Sequence, residues 1–183
     1  MNDDTNRNAL RQADAALPKL RDVRIVYLPP ATVAASHFIG DEPENVAEER
    51  IQAFAKASNI TAVKPDVRLY GFNHPNPVEE TNAHGYEFWL TIPDDLDVPE
   101  PLQKKQFAGG FYAAHMIRMG DFHEWAWLDE WLRASEEYEY RDNGRPENMF
   151  DALEEHLNAY TYLREGGDPG LTQLDLLIPV KKR

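Results

Sequence analysis

The chain is predicted to be an α+β protein built from two repeats of the order strand, helix, strand, strand (βαββ). Three features predict this. Short β-compatible apolar segments recur in both halves, each half carries an amphipathic helical stretch, and three short words recur in the same order. "FWLTIP" (88–93) and "LDLLIP" (174–179) share a pattern and both end in Ile-Pro. "AASHFIGD" (34–41) echoes "AAHMIRMGD" (113–121) with one residue of slippage, and "GFN" (71–73) echoes "HLN" (156–158). One match of six residues carries little weight; three in order argue for internal duplication.

Residues 1–22 are polar, with Leu10, Ala13 and Leu17 at near-helical spacing before Pro18, and read as an N-terminal extension forming a short helix or frayed arm. The domain proper is 23–183, with repeats at about 23–95 and 106–182. Val23 to Tyr27 is a strand that Pro29-Pro30 interrupts, because proline cannot donate to a ladder. Val33 to Ile39 is the next strand. Asn45 is the expected cap of a helix over roughly 46–57, with Val46, Ile51, Phe54 and Ala55 on its apolar side. Val67 to Asn73 and Gly85 to Ile92 read as strands around a loop rich in Asn and Pro. "PDDLDVPEPLQKK" (93–105) reads as a connector, and Phe107 to Met119 as a strand. In "EWAWLDEWLRAS" (124–135), Trp127/Trp131 and Leu128/Leu132 are i,i+4 pairs and Trp125 widens the stripe, which predicts a helix. The last strand is Leu171 to Val180.

Composition narrows the function classes. At 183 residues the chain suits one core, and 42% hydrophobic with 28% charged residues is a globular composition. Nineteen basic against thirty-two acidic residues give a formal charge of −13, which repels a phosphate backbone, so no direct nucleic-acid partner is expected. The absence of cysteine excludes a disulfide framework and a thiolate site. No segment has the pattern of a signal peptide, and no apolar run approaches the ~20 residues of a membrane span. A soluble, cytoplasmic protein without a membrane partner is the expectation.

The segment "LEEHLN" (153–158) admits two readings. On periodicity alone "FDALEEHLNAYTYL" favours a helix, with Leu153, Leu157 and Tyr160 at i, i+4 and i+7 and with Glu154 and Glu155 in water. Its counterpart "GFN" in the first half favours a strand.

The words "RLYGFNHPNP" (68–77), "GYEFWLTIPDD" (85–95), "FAGGFYAAHMIRMG" (107–120), "LEEHL" (153–157) and "LDLLIPVKK" (174–182) resemble the GyrI-like small-molecule-binding superfamily. Its members also serve as effector-binding domains of MerR-type and AraC-type transcription activators. The resemblance covers about 23–182 and implies two pseudo-symmetric βαββ repeats. They form a curved antiparallel sheet with helices on one face and a ligand cleft on the other. It further implies an acidic residue in the cleft, on the strand equivalent to "LEEHL", surrounded by aromatics and binding lipophilic cations in the multidrug-sensing members. Some stand-alone members are hydrolases that open cyclopropane-containing natural products. No helix-turn-helix pattern precedes residue 23, so a stand-alone member is expected.

Strand alternation then assigns faces. Phe88, Leu90 and Ile92 point to the helices, so Glu87, Trp89 and Thr91 face the cleft; Leu174, Leu176 and Ile178 likewise oppose Gln173, Asp175 and Leu177. In 153–157 the leucines want the helix-packed core, which sends Glu154 and His156 to the cleft and leaves Glu155 as the alternative pocket acid. The expected ligand-binding set is Glu154, Glu155, His156, Trp89, Glu87, Phe111, Tyr112 and Trp127. A carboxylate among aromatic faces suits a lipophilic cation, which relieves the carboxylate's desolvation while stacking on the rings. No metal is expected, since the six histidines show no H-E-x-x-H spacing, and no cofactor is implied. A sensor or sequestering module is the leading reading. One alternative is a hydrolase in which Glu154 or Glu155 is the general base or cation stabiliser and Tyr112 or His156 the acid. The other is a module that binds a protein partner, as gyrase-inhibiting members do.

Overall fold

Proline and glycine decide how the two halves interlock. The computed structural model describes residues 22–78 and 84–183, so the expected N-terminal extension lies outside the described residues except for Asp22. Val23–Leu28 (β1) and Ala31–Ile39 (β2) are separated at Pro29-Pro30, and Gln103–Phe107 (β5) and Gly110–Arg118 (β6) at Ala108-Gly109. Neither couple folds into a hairpin. Instead β1 pairs with β6 and β5 pairs with β2, so each half's leading strand completes the edge of the other half. Where the connections pass, a Cβ on Gly109 (φ +66) would lie 2.3 Å from the carbonyl oxygen of Leu28. Only glycine fits both that approach and that backbone.

Between them run α1 (Pro43–Ala57), α2 (Ile60–Val63), β3 (Leu69–Asn73) and β4 (Gly85–Ile92). The second half continues with α3 (Glu124–Ala134), β7 (Tyr138–Tyr140), β8 (Leu153–His156), α4 (Ala159–Glu165) and β9 (Gln173–Lys182). Among the described residues all pairings are antiparallel, in a nine-stranded sheet of order β1-β6-β9-β8-β3-β4-β2-β5, with β7 on the end of β9. The sheet curls into a half-barrel. Its centre of pseudo-symmetry is the β3–β8 join, where Tyr70 stands opposite Glu155. Gly71 and His156 flank that pair at matching places, so "GFN" and "HLN" correspond. Trp89 beside Tyr70 matches Asp175 beside Glu155, so "FWLTIP" and "LDLLIP" correspond residue for residue. The third word matches only by strand. Ala35 lies beside Trp89 and Met116 beside Asp175, which sets Ala34 level with His115 rather than Ala113.

Three cores hold the sheet. On the helix side of the first half, Leu69, Phe88 and Leu90 pack under Ala47, Ile51 and Phe54 of α1, with Ile60 and Ala159 closing the flank. In the second half Leu128 and Leu132 of α3 cover Ala113, Ile117, Leu174 and Leu176. Full burial of a leucine side chain contributes roughly 1.5–3 kcal/mol, so these two residues anchor α3 to the sheet. The third core lies on the face away from the helices and includes Val33, Tyr70, Phe72, Phe107, Tyr112 and Leu153.

Several boundaries differ from expectation for identifiable reasons. The 93–105 connector ends in strand β5, whose sequence "QKKQF" is polar because it pairs only at the sheet's edge and stays mostly exposed. Helix α1 begins at Pro43, not at 46: proline suits a first turn, where its missing N–H costs nothing. Asn45 bonds to Glu42 at 3.0 Å instead of capping the helix. "LEEH" is a strand, while the helical period in the same segment is realised from Ala159 onward, after Asn158 turns at φ 62.

The strand faces of β4 and β9 are as expected, but those of β8 are reversed. His156 pairs with Leu69, which lies in a helix-packed core, so Glu154 and His156 face the helices while Leu153 and Glu155 face away. A single leucine could not decide the parity, because both faces of this sheet are covered by apolar side chains.

Candidate functional site

Glu154 owes its place to a glycine. On β3, Gly71 pairs with Glu154, and a Cβ there would lie 2.3 Å from the Tyr86 hydroxyl. The missing side chain lets Tyr86 reach across β3 and donate to Glu154 Oε2 at 2.6 Å. Trp125, in the first turn of α3, supplies a second hydrogen bond to the same carboxylate. Glu154 is only 7% exposed. Burial raises its pKa, the bonds from Tyr86 and Trp125 pull it back, and the charge of Glu44 pushes it up again; the net shift is upward. Burial and the adjacent carboxylate hold Tyr86 well above its ordinary range, so it stays a donor.

These groups form the floor of a cavity of about 410 Å³ on the helix side of the sheet. Phe88 and His156 complete the floor, and Phe122, Trp125, Met149 and Tyr162 form aromatic and thioether walls. Burial depresses the pKa of His156 to about 4, so its ring is neutral at pH 7. It meets Phe88 edge-on, with centroids 5.5 Å apart. Glu44 and Glu48 project from α1, one turn apart. Glu44 is 2.7 Å from His84 Nε2, and Glu48 accepts from the Tyr162 hydroxyl at 2.5 Å. Among the described residues the lining thus holds three glutamates and no lysine or arginine. Trp125 and Met149 are shared with a second hollow of about 430 Å³, lined by Ala126, Tyr140, Phe150 and Ile178. At that shared wall the chain is strained. Met149, Phe150 and Asp151 have φ of 56, 54 and 66°, an unfavourable run for non-glycine residues.

The remaining expected residues lie elsewhere. Glu155 points away from the cavity and is held by Arg68 through Nε at 2.6 Å and Nη2 at 2.7 Å. Burial raises its carboxyl, and the guanidinium partly offsets this. Trp89 and Tyr112 line a different cavity on the opposite face of the sheet. That separates Tyr112 from Glu154, so the two cannot act on one atom. Glu87, 1% exposed, accepts from Lys105, His74 Nδ1 and Trp89 Nε1 at 2.5, 2.7 and 2.6 Å. Burial alone would raise its pKa, but these three donors more than offset that and hold it low. Phe111 is 53% exposed and packs edge-on against Tyr27. Trp127 lies tilted against His115, with ring centroids 4.7 Å apart; Trp125, not Trp127, enters the Glu154 cavity.

His37, His74 and Glu87 bring ligand atoms within 4.8 Å of one another. Glu87 is already neutralised by Lys105, whose ammonium supplies the charge a metal ion would bring. Sequence reasoning missed Tyr86, Glu44, Glu48 and Tyr162. The signal for Tyr86 was available, since it has the same strand parity as Phe88 and Leu90 and therefore faces the helices.

A curled antiparallel half-barrel with two βαββ repeats is consistent with the GyrI-like fold. Residues 24–180 match the family described as "Cass2: Integron-associated effector binding protein", and the chain belongs to that family within the GyrI-like superfamily. No curated protein sequence matches it. Among solved structures it is similar to the EcmrR C-terminal domain, with TM-score 0.65 and 13% identity, covering 90% of this chain and 99% of that one. It is also similar to an uncharacterized conserved protein from Listeria innocua, with TM-score 0.60 and 15% identity over 88% of this chain and 93% of that one. A hydrolase from Listeria innocua gives TM-score 0.59 and 15% identity over 88% and 92%. At these identities the likeness is one of fold. Among the described residues no helix is long and apolar enough to cross a membrane.

Proposed function

We propose that the domain binds a lipophilic, cationic small molecule in the cavity above Glu154, as a sensor or sequestering module. Membership in an effector-binding family supports a small-molecule effector in general. The observation that carries the finer reading is a buried carboxylate on the floor of an aromatic cavity whose lining, among the described residues, has three glutamates, a neutral histidine and no lysine or arginine. A carboxylate in that position is costly to leave unpaired. A bound cation supplies the missing charge, and the faces of Trp125, Tyr162 and Phe122 attract it through their quadrupoles. The hollow beyond Trp125 and Met149 gives room for an apolar extension. Equilibrium titration with rhodamine 6G and with an uncharged dye of similar size tests the reading. The cation binds more tightly; equal affinity for both refutes it.

A hydrolase is the second reading, favoured by one observation. The carboxyl of Glu154 has a raised pKa and sits 2.6 Å from a protonated phenol, Tyr86, with neutral His156 beside it. That trio can deliver a proton and activate water. In this reading Tyr86 takes the part that sequence reasoning gave to Tyr112. Incubation with an activated cyclopropane and mass detection of a product heavier by one water tests it; unchanged substrate at high enzyme concentration removes it.

A further inference from the structure

The cavity on the opposite face of the sheet, about 470 Å³, has the reverse chemistry. Its floor is a run of rings from four strands. Phe72 meets Trp89 at 4.9 Å, Trp89 meets Phe107 at 5.7 Å, and Phe107 meets Tyr112 at 6.4 Å. Its rim carries two arginines and one aspartate. Arg145 pairs with Asp151 at 2.6 Å, and Asn143 and Asn148 donate to the same carboxylate, so that charge is spent.

Arg141 is the charge left over. Among the described residues it forms no ion pair, and its buried Nε finds no hydrogen-bond partner. Its guanidinium lies over the Tyr112 ring at 5.2 Å and donates from Nη2 to the Tyr112 hydroxyl at 3.3 Å. The place is prepared by the backbone. A Cβ on Gly110 (φ +126) would stand 1.6 Å from Arg141 Nη1, so the guanidinium occupies space that any other residue would fill. Asn148, 7% exposed and also on this rim, leaves its Oδ1 without a partner among the described residues. An uncompensated guanidinium beside an aromatic floor is unusual in a chain of formal charge −13, where long-range attraction favours cations.

We infer that this cavity is a second ligand site, selective for a monoanionic aromatic acid. Its ring lies against Trp89 and Phe107, and its carboxylate bonds to Arg141. A planar guanidinium matches a carboxylate's geometry and is weakly hydrated, which suits a partly buried pair. A single free charge favours a monoanion over a phosphate dianion. The site stands independently of the Glu154 cavity: Leu153 faces one and Glu154 the other, on adjacent residues of β8.

The test is calorimetric titration of the full chain with 4-nitrobenzoate and with its uncharged counterpart, 4-nitrobenzamide. The acid saturates one site per chain and binds at least roughly tenfold more tightly than the amide, the loss expected for one charge-assisted bond. Arg141→Gln brings the acid down to the amide's affinity, whereas Glu154→Gln leaves acid binding unchanged. Trp89→Phe abolishes the tryptophan quenching that the nitroaryl ring produces in the wild type. Equal affinity for acid and amide overturns the inference in the wild-type chain alone, whatever the folding of the variants. So does acid binding that Arg141→Gln leaves intact, or acid binding that rhodamine 6G displaces competitively. Failure of rhodamine 6G to bind would sink the proposal for Glu154 and leave this one standing.

Discussion

Glu154→Gln separates charge from shape at the centre of the proposed site. Glutamine keeps the size of the side chain and can still accept from Tyr86, so the floor is preserved while the charge is removed. A cation about 4 Å from Glu154 in a partly buried setting gains about 4 kcal/mol from the ion pair at an effective dielectric constant near 20. Mutational values for hydrogen bonds to charged groups are about 1.5–3 kcal/mol, so a loss of roughly 2–4 kcal/mol is expected. That corresponds to a roughly 30- to 800-fold weaker Kd for rhodamine 6G, read by fluorescence anisotropy. The same charge has an opposite effect on folding. The pKa of Glu154 is raised in the folded chain, so the native state binds the proton more readily than the unfolded one. Stability therefore falls as pH rises through the interval between the ordinary carboxyl value and the raised one. At pH 7 the glutamine variant resists urea at least as well as wild type, and its advantage vanishes in acid. Cation affinity moves the other way and fades as pH drops through the raised pKa. A variant that binds the dye with unchanged Kd would show that Glu154 is not the recognition charge, and a variant less stable at pH 7 would show that the buried charge was already compensated.

Four further outcomes are expected. Tyr86→Phe removes a donor from a buried carboxylate and costs roughly 1–3 kcal/mol in urea unfolding, with a further rise in the Glu154 pKa visible by carboxyl-carbon NMR. Arg68→Met strands Glu155 beside Asp175. Removing one partner of a buried pair costs about 3–5 kcal/mol, and because Arg68 is one-third exposed the lower half of that range is expected in chemical denaturation. The folded pKa of His156 lies below its unfolded value, so stability is lost as pH falls from about 6.5 towards 4. The loss reaches about 3 kcal/mol, and His156→Phe should flatten the pH dependence of the unfolding midpoint over that window. Alkyl-trimethylammonium probes should bind more tightly as the chain lengthens, at about 0.8 kcal/mol per buried CH₂ until the hollow beyond Trp125 is full; Ala126→Trp, which narrows that hollow, removes the gain for long chains only.

Much of the architecture was written in short-range pattern. Alternation along "FWLTIP" and "LDLLIP" settles which side chains meet the helices, because a two-residue period leaves no freedom once one face is packed. The i,i+4 leucines of 124–135 do the same for α3. Duplication was legible as repeated words, and the ladders match two of them residue for residue. A carboxylate at the join of the halves was legible too, as the resemblance of "LEEHL" to the superfamily. What the chain could not disclose was the parity of β8. Four residues with one leucine fit either face when both faces are apolar, and only the pairing of His156 with Leu69 breaks the tie. The partners of Glu154 were equally hidden. Tyr86 is distant in sequence and reaches the carboxylate only because Gly71 has no side chain, and Trp125 arrives on a helix whose docking depends on Leu128 and Leu132. Local period and composition in the sequence determined the repeats and most of their strands and helices, whereas the acidic strand between them was legible only through the repeated words and the resemblance, since period alone favours a helix there. Tertiary structure alone decided that the two glutamates face opposite ways, that Trp89 and Tyr112 belong to another cavity, and that Arg141 stands there without an ion pair among the described residues. Each of these depends on which strands lie side by side, a relation set by long-range pairing and not by neighbours in the chain.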